Sequence, residues 1–237
     1  MMKTVSDPIV VMKRYEIKYL LSAEKTAYLQ ERLKGHMQVD SFGLTSIASL
    51  YYDTPDYRLI RNSLEKPAYK EKLRLRSYGL ATDESPVYLE LKRKAFGVVY
   101  KRRVQSTIPQ VERFFEHDVD ICTGGQINRE IKTFRDYYGE LMPTCLIIYD
   151  RTAYFEPDGD LRLTIDSNPR YRMDDLTLEH SMDGISLLPE GWTILEVKVQ
   201  DAIPLWLAEI LSTGKIYQSS FSKYGEAYRQ QLYKLAV

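Results

Sequence analysis

Ala68-Tyr69-Lys70-Glu71-Lys72-Leu73-Arg74-Leu75-Arg76-Ser77-Tyr78 decides the fold class. In an extended chain, side chains at i and i+2 share a face. Lys70, Lys72, Arg74 and Arg76 therefore stand in a row, with Leu73 and Leu75 behind them. A helix would scatter these cations around its axis, whereas a strand gathers them, so the stretch predicts a β-strand with one cationic and one apolar face.

The same alternation runs outward in both directions. It predicts strands over 13–21, 46–53, 86–94, 98–107, 145–155, 161–167 and 193–199, with a hairpin closed through Ala95-Phe96-Gly97 and turns at Asp53-Thr54-Pro55-Asp56 and Asp158-Gly159-Asp160. Arg14, Glu16 and Lys18 share one face of the first strand. Glu90, Lys92 and Lys94 oppose Leu89 and Leu91, and Arg93 projects with the leucines. Arg162, Thr164 and Asp166 alternate with aliphatics, as do Glu196 and Lys198. Helical spacing appears after Ser22, an N-cap for a helix ending near Gly35, and again over 109–140, 203–212 and 223–235. The segment 109–140 reads as a two-helix insertion, and residues 1–237 as a single α+β domain without a linker.

The 33 Lys and Arg balance 33 Asp and Glu, which argues against a protein that coats nucleic acid with its whole surface. By region the balance breaks. Between Lys66 and Arg103, eleven basic residues face four acids; between Glu156 and Glu190, nine acids face three arginines. Two cysteines and three scattered histidines give neither a disulfide framework nor zinc spacing. Cys122 and Cys145 read as small buried hydrophobes, and His36, His117 and His180 as surface or loop residues. Without a secretory signal or a membrane-length apolar run, the expected location is cytoplasmic.

Two arrangements satisfy the charged strand faces: an ordinary antiparallel sheet with solvated charges, or a barrel whose apolar face points outward under helices and whose charged face lines a lumen. The helical content favours the second, and an excess of cations inside a lumen requires a polyanion.

The chain resembles the VTC (vacuolar transporter chaperone) catalytic domain of polyphosphate polymerases, within the wider triphosphate tunnel metalloenzyme group that includes CYTH-type enzymes. The likeness rests on motifs that occur in that family's order from Lys13 to Tyr228. They begin with Arg14-Tyr15-Glu16-Ile17-Lys18-Tyr19, Ser49-Leu50-Tyr51-Tyr52-Asp53-Thr54, Lys72-Leu73-Arg74-Leu75-Arg76-Ser77-Tyr78-Gly79 and Tyr88-Leu89-Glu90-Leu91-Lys92-Arg93-Lys94. Tyr149-Asp150-Arg151-Thr152-Ala153-Tyr154, Leu161-Arg162-Leu163-Thr164-Ile165-Asp166, Ile194-Leu195-Glu196-Val197-Lys198 and Ser220-Phe221-Ser222-Lys223-Tyr224 complete the series.

The resemblance implies a closed antiparallel barrel of about eight strands that forms a tunnel wrapped by helices. It implies transfer of the γ-phosphate of ATP to polyphosphate with Mn²⁺ or Mg²⁺, on Arg74, Arg76, Lys92, Arg151, Arg162 and Lys223. Further phosphate contacts would come from Lys18, Lys72, Lys101, Arg102 and Lys198, with Tyr149 and Ser222 as neutral donors. Glu196, Glu16 and Glu90 would be the metal ligands. No nucleic acid is implied, and a membrane partner could export the product. Paired guanidinium groups suit adjacent phosphoryl units, and phosphoryl transfer needs positioning and charge neutralisation rather than a nucleophilic side chain.

Arg14 stands where the wider group carries a first-strand Glu, a feature shared with the polymerase branch. Ser220 stands where that branch is expected to carry a basic residue, which keeps hydrolysis of tripolyphosphate or nucleoside triphosphate open as an alternative. A non-catalytic polyphosphate or inositol-phosphate binding module is the other.

Overall fold

The computed structural model describes residues 15–96, 98–117, 119–121 and 125–235, without the side chains of 233–235. Arg14, Gly97, Cys122 and the start of the Thr123-Gly124-Gly125 loop lie outside the described residues.

The chain opens with β1 (Tyr15–Leu21) and α1 (Ala23–Leu33), continues through the long β2 (Gln38–Asp53) and the short α2 (Arg58–Leu64), and then lays down β3 (Tyr69–Tyr78), β4 (Val87–Ala95) and β5 (Val98–Ser106). Helices α3 (Ile108–His117) and α4 (Gln126–Tyr138) follow, then β6 (Met142–Phe155), β7 (Arg162–Arg172), the two-residue β8 (Ile185–Ser186) and β9 (Thr193–Val199). The last elements are α5 (Leu205–Thr213), β10 (Gln218–Ser219) and α6 (Lys223–Leu235).

All ten strands join one antiparallel sheet, in the order β10-β1-β9-β7-β6-β2-β3-β4-β5 with β8 on β7. The expected barrel closure is corrected in one respect: among the described residues, backbone hydrogen bonds leave β10 and β5 as open edges. Side chains span the gap. Lys92 on β4 places its Nζ 3.3 Å from Glu16 on β1, and each of these strands lies next to an opposite end of the sheet. A flat sheet cannot make that contact, so the twisted sheet curls into a nearly complete tunnel.

Helices cover most of the convex face. Leu73, Leu75, Leu89 and Leu91 pack against Val111 and Phe114 of α3 and against Ile131 and Phe134 of α4. Leu163, Ile165, Leu195 and Val197 pack against Leu29 and Leu33 of α1 and against Leu207 and Leu211 of α5. Each such side chain contributes roughly 1.5–3 kcal/mol on burial. One helix goes elsewhere. Tyr224, Ala227 and Tyr228 of α6 pack with Ile47, Tyr51, Ile147 and Tyr149, which share the cationic face, so α6 fills part of the concave side.

Local chemistry fixes the element ends. Ser22 caps α1, its Oγ accepting from the Lys25 amide at 3.3 Å. Gly139 ends α4 with φ +74°, where its amide donates to the Arg135 carbonyl. Helix α2 starts after Tyr57, itself left-handed (φ 58°), and is capped from a distance. Buried Asp53 accepts from the amides of Thr54, Leu59 and Ile60 and from the Tyr224 hydroxyl of α6. Among the described residues no helix is long and apolar enough to cross a membrane.

Asp53→Ala leaves those amides unpaired and the Tyr224 hydroxyl with Thr144 as its remaining partner, so the variant should lose about 2–4 kcal/mol in urea unfolding. A loss below about 1 kcal/mol would show that α2 and α6 do not depend on this carboxylate.

Candidate functional site

The cross-strand register of β3, β4 and β5 sets like charges side by side. Lys70 faces Lys94, Lys72 faces Lys92, and Lys92 faces Lys101 on its other flank. Like charges directly opposite one another destabilise a sheet. One carboxylate interrupts the pattern. Glu90, 1% exposed, accepts from Arg74 at 2.7–2.8 Å, Lys101 at 2.7 Å and Arg103 at 2.6 Å, with Arg76 at 3.8 Å. Burial alone would raise its pKa, but Arg74, Arg76 and Lys101 hold it far below the usual carboxylate range. With both oxygens engaged by cations, Glu90 acts in this arrangement as a counter-ion to Arg74, Lys101 and Arg103.

The facing wall repeats this arrangement. Asp166, fully buried on β7, takes two bonds from Arg151 (2.6 and 2.8 Å) and one from Lys223 (2.5 Å) at the start of α6. Glu196 on β9 pairs with Lys198 at 3.3 Å and lies 3.9 Å from Arg151. Burial would raise the Glu196 carboxyl, yet Lys198, Lys18 and Arg151 bring it well below its ordinary value. Glu16 is the diagonal cross-strand neighbour of Glu196 in the β1–β9 register and lies 3.6 Å from Lys18 and 3.3 Å from Lys92. Burial pushes Lys18 down, but Glu196 and Glu16 outweigh it and the ammonium is held charged.

Neutral groups complete the lining. The Tyr51 hydroxyl accepts from Arg74 at 3.1 Å, and the Tyr149 hydroxyl accepts from Arg76 at 3.2 Å. The Tyr149 ring lies beneath Arg151 and Lys223. Ser222 Oγ accepts from Lys72 Nζ at 3.2 Å, joining β3 to α6. Two buried hydroxyls, Thr164 Oγ1 and Ser219 Oγ, have no hydrogen-bond partner among the described residues. Thr164 is in register with Glu196, and Ser219 with Lys18, so both orphans border the Glu16–Glu196 pair. Two adjacent carboxylates suit a hard divalent cation that completes its shell with phosphate oxygens and water.

Most of the sequence-derived set thus converges on one concave face: Lys18, Lys72, Arg74, Arg76, Lys92, Lys101, Arg151, Lys198 and Lys223, with Tyr149, Ser222, Glu16 and Glu196. One member does not: Arg102 lies opposite Leu91 on the convex face and donates to Glu130 of α4 at 3.1 Å. Arg162, in register with Lys198, begins β7 at the rim of the concave face, exposed, with its guanidinium on the carbonyls of Gly159 (3.2 Å) and Leu161 (2.9 Å). Sequence reasoning missed Arg103, Asp166 and Tyr51 as site residues. Arg103 and Asp166 were signalled by period two, sharing faces with Lys101 and Thr164 respectively; Tyr51 gave only its place in a motif.

The VTC domain family matches residues 13–232. Among solved structures, a candidate adenylate cyclase from Bacillus halodurans is similar, with a TM-score of 0.55 and 17% identity over 89% of this chain and 96% of that one. A candidate adenylyl cyclase from Hippeastrum, described as having a dominant triphosphatase activity, gives a TM-score of 0.48 and 17% identity over 90% and 93%. No curated protein matches the sequence.

Lys72 makes the charge excess measurable. Burial, against some relief from Tyr51 and with added repulsion from Lys18, Lys70 and Lys92, brings it from 10.5 down to about 8. At neutral pH it is charged in both folded and unfolded chains and carries the full cost of burial. From about 8 to 10.5 the unfolded chain holds more protons, so stability rises with pH across that window. Lys72→Met should raise the ligand-free Tm at pH 7, flatten the rise between pH 8 and 10.5, and weaken tripolyphosphate binding about tenfold. Thermal melts across that range and calorimetric titration check this; a variant with the parent's pH profile would refute it.

Proposed function

The chain belongs to the VTC domain family, and from that premise we propose that it transfers the γ-phosphate of ATP to the end of a polyphosphate chain held in the basic tunnel with Mn²⁺ or Mg²⁺. The observation that carries the reading is the in-register row Lys72, Lys92 and Lys101, flanked by Lys70 opposite Lys94. These ammonium groups stand side by side without enough carboxylates to neutralise them, and a linear phosphate chain supplies closely spaced charge of the opposite sign.

Arg74 and Arg76 are the candidates to grip successive phosphoryl groups, because each guanidinium offers parallel N–H bonds to two oxygens. Glu90 and Asp166 act as positioning residues that fix the planes of Arg74 and Arg151 before substrate arrives. Glu196, with Glu16, would hold the metal, which when bound neutralises phosphate charge as a Lewis acid. Lys18, Lys92 and Lys198 would surround the same phosphates.

The acceptor's terminal phosphate oxygen is already ionised at neutral pH, so attack on the γ-phosphorus requires no side-chain base. A P–O bond forms to that oxygen, the bond to the β-phosphate oxygen breaks, and ADP leaves with the electron pair. Arg74, Arg76, Arg151 and Lys223 are suited to offset the charge that develops on the leaving oxygen. Exposed Ser220, where a basic residue is expected, favours the second reading, in which water replaces the phosphate acceptor.

Purified protein incubated with ATP, Mn²⁺ and pyrophosphate should form a polyphosphate ladder on a gel. Glu196→Gln should reduce turnover at least about 100-fold while tripolyphosphate affinity stays within a few-fold. Phosphate release without chain growth would establish the hydrolase instead, and tight binding without turnover in the parent would establish a binding module.

A further inference from the structure

A second cleft lies on the convex side of the sheet, where β3 and β4 meet α2 and α4. It encloses about 560 Å³, within the size range of small-molecule sites. Strand alternation separates it from the tunnel: Glu71 at its floor points away from the face that carries Lys70 and Lys72.

The floor is neutral. Glu71, 7% exposed, accepts from Arg93 Nε at 2.6 Å and from the Tyr138 hydroxyl at 3.0 Å. Arg93 also donates to Glu130 at 2.9 Å, and Glu130 takes Arg102. Two carboxylates therefore meet two guanidinium groups and leave no net charge. Burial and Glu71 push the Tyr69 phenol up to about 12, so this wall adds no negative charge at physiological pH.

The rim differs. Arg58 of α2 lies 5.7 Å from the ring centre of Tyr137 and 5.4 Å from that of Tyr138. Its guanidinium has no hydrogen bond or ion pair among the described residues, and the neighbouring Asp56 is taken by Arg61. Asn62, one turn further along α2, likewise shows no side-chain hydrogen bond among them. Tyr69 and Tyr137 remain 47% and 66% exposed beside these free polar groups. A guanidinium restrained on two rings keeps its N–H edges available for a carboxylate or phosphate, and the tyrosine rings offer stacking surface.

We infer that this cleft binds a small aromatic monoanion, a flat ring bearing one carboxylate or one monophosphate group. Arg58 receives the anion, Asn62 hydrogen-bonds the polar edge, and Tyr69 and Tyr137 flank the ring. The single uncompensated cation matches one anionic group and not a phosphate chain, so the inference is independent of the tunnel's activity.

Adenosine monophosphate and 4-hydroxybenzoate serve as probes of the two anion types, with adenosine as the uncharged control, in titration calorimetry of the full chain. At least one probe should bind with a Kd below about 1 mM, and adenosine at least about tenfold more weakly than adenosine monophosphate if that is the probe bound. Arg58→Ala and Tyr137→Ala, both exposed and checked for an unchanged Tm, should each weaken binding, the first by roughly tenfold or more. Lys92→Ala in the tunnel should leave it unchanged. The inference fails if neither probe binds in that range, if Arg58→Ala with a native Tm binds normally, or if Lys92→Ala weakens binding as much as Arg58→Ala does.

Discussion

A single buried carboxylate allows three cationic strands to lie side by side. Arg74, Lys101 and Arg103 all close on Glu90, with Arg76 just beyond. Breaking a buried charge pair by removing one partner typically costs about 3–5 kcal/mol, and here several cations share the partner. Glu90 therefore does more than offset charge. By fixing the guanidinium planes of Arg74 and Arg103 it leaves the neighbouring row, Lys72 opposite Lys92 and Lys70 opposite Lys94, under-neutralised, and the site's field comes from that remainder. Asp166 does the same on the facing wall for Arg151 and Lys223.

Curvature and the site depend on each other. The sheet's ends meet through Lys92 and Glu16, an ion pair between strands that share no backbone hydrogen bonds. The far side is tied by α6, whose first residues reach into the tunnel through Ser222 to Lys72 and through Lys223 to Asp166. The next residue, Tyr224, anchors that helix on Asp53, which also caps α2. One short segment, 222–224, thus joins β3, β7 and the end of β2. Tunnel polarity and helix docking share the same three side chains, so a change in how α6 seats would move two lining groups at once.

Period two made most of this legible. The strand over 193–199 and the helix over 223–235 have the boundaries that their alternation and helical spacing predict. What escaped depends on contacts distant in sequence. Helix α2 is too short for a periodic signal, and its cap, Asp53, lies beyond an intervening turn. The first half of β2 holds exposed Val39, Phe42 and Leu44 and a register shift before Leu44, so it shows no clean alternation. Glu90 was visible as a carboxylate on a cationic face, but its role follows from cross-strand register, which pairs it with Arg74 on one side and Arg103 on the other. Arg102 fails for the same reason: its residue type fits the site, and parity sends it outward.

The zero net charge of the whole chain acquires a spatial meaning. The acids between Glu156 and Glu190 are mostly at the surface, with Asp158, Asp160, Asp174, Asp175, Asp183 and Glu190 exposed and Asp166 buried. Of the arginines in that segment, Arg172 pairs with one of these acids, Asp175, at 3.4 Å. Otherwise Arg170 and Arg172 donate largely to backbone carbonyls of Asn168, Asp175, Ser181, Met182 and Asp183, holding the loop against β7. Their charge is used for loop architecture, which leaves the outer carboxylates to repel polyanions. On the proposed function, repulsion outside and attraction along the lysine row would together focus an anionic chain toward the tunnel, with an effect that weakens once the Debye length falls below the tunnel's own dimensions. A thick, stiff polyanion would meet mainly the acidic surface and a thin, flexible one would reach the cations, so the balanced composition would then act as a selectivity device.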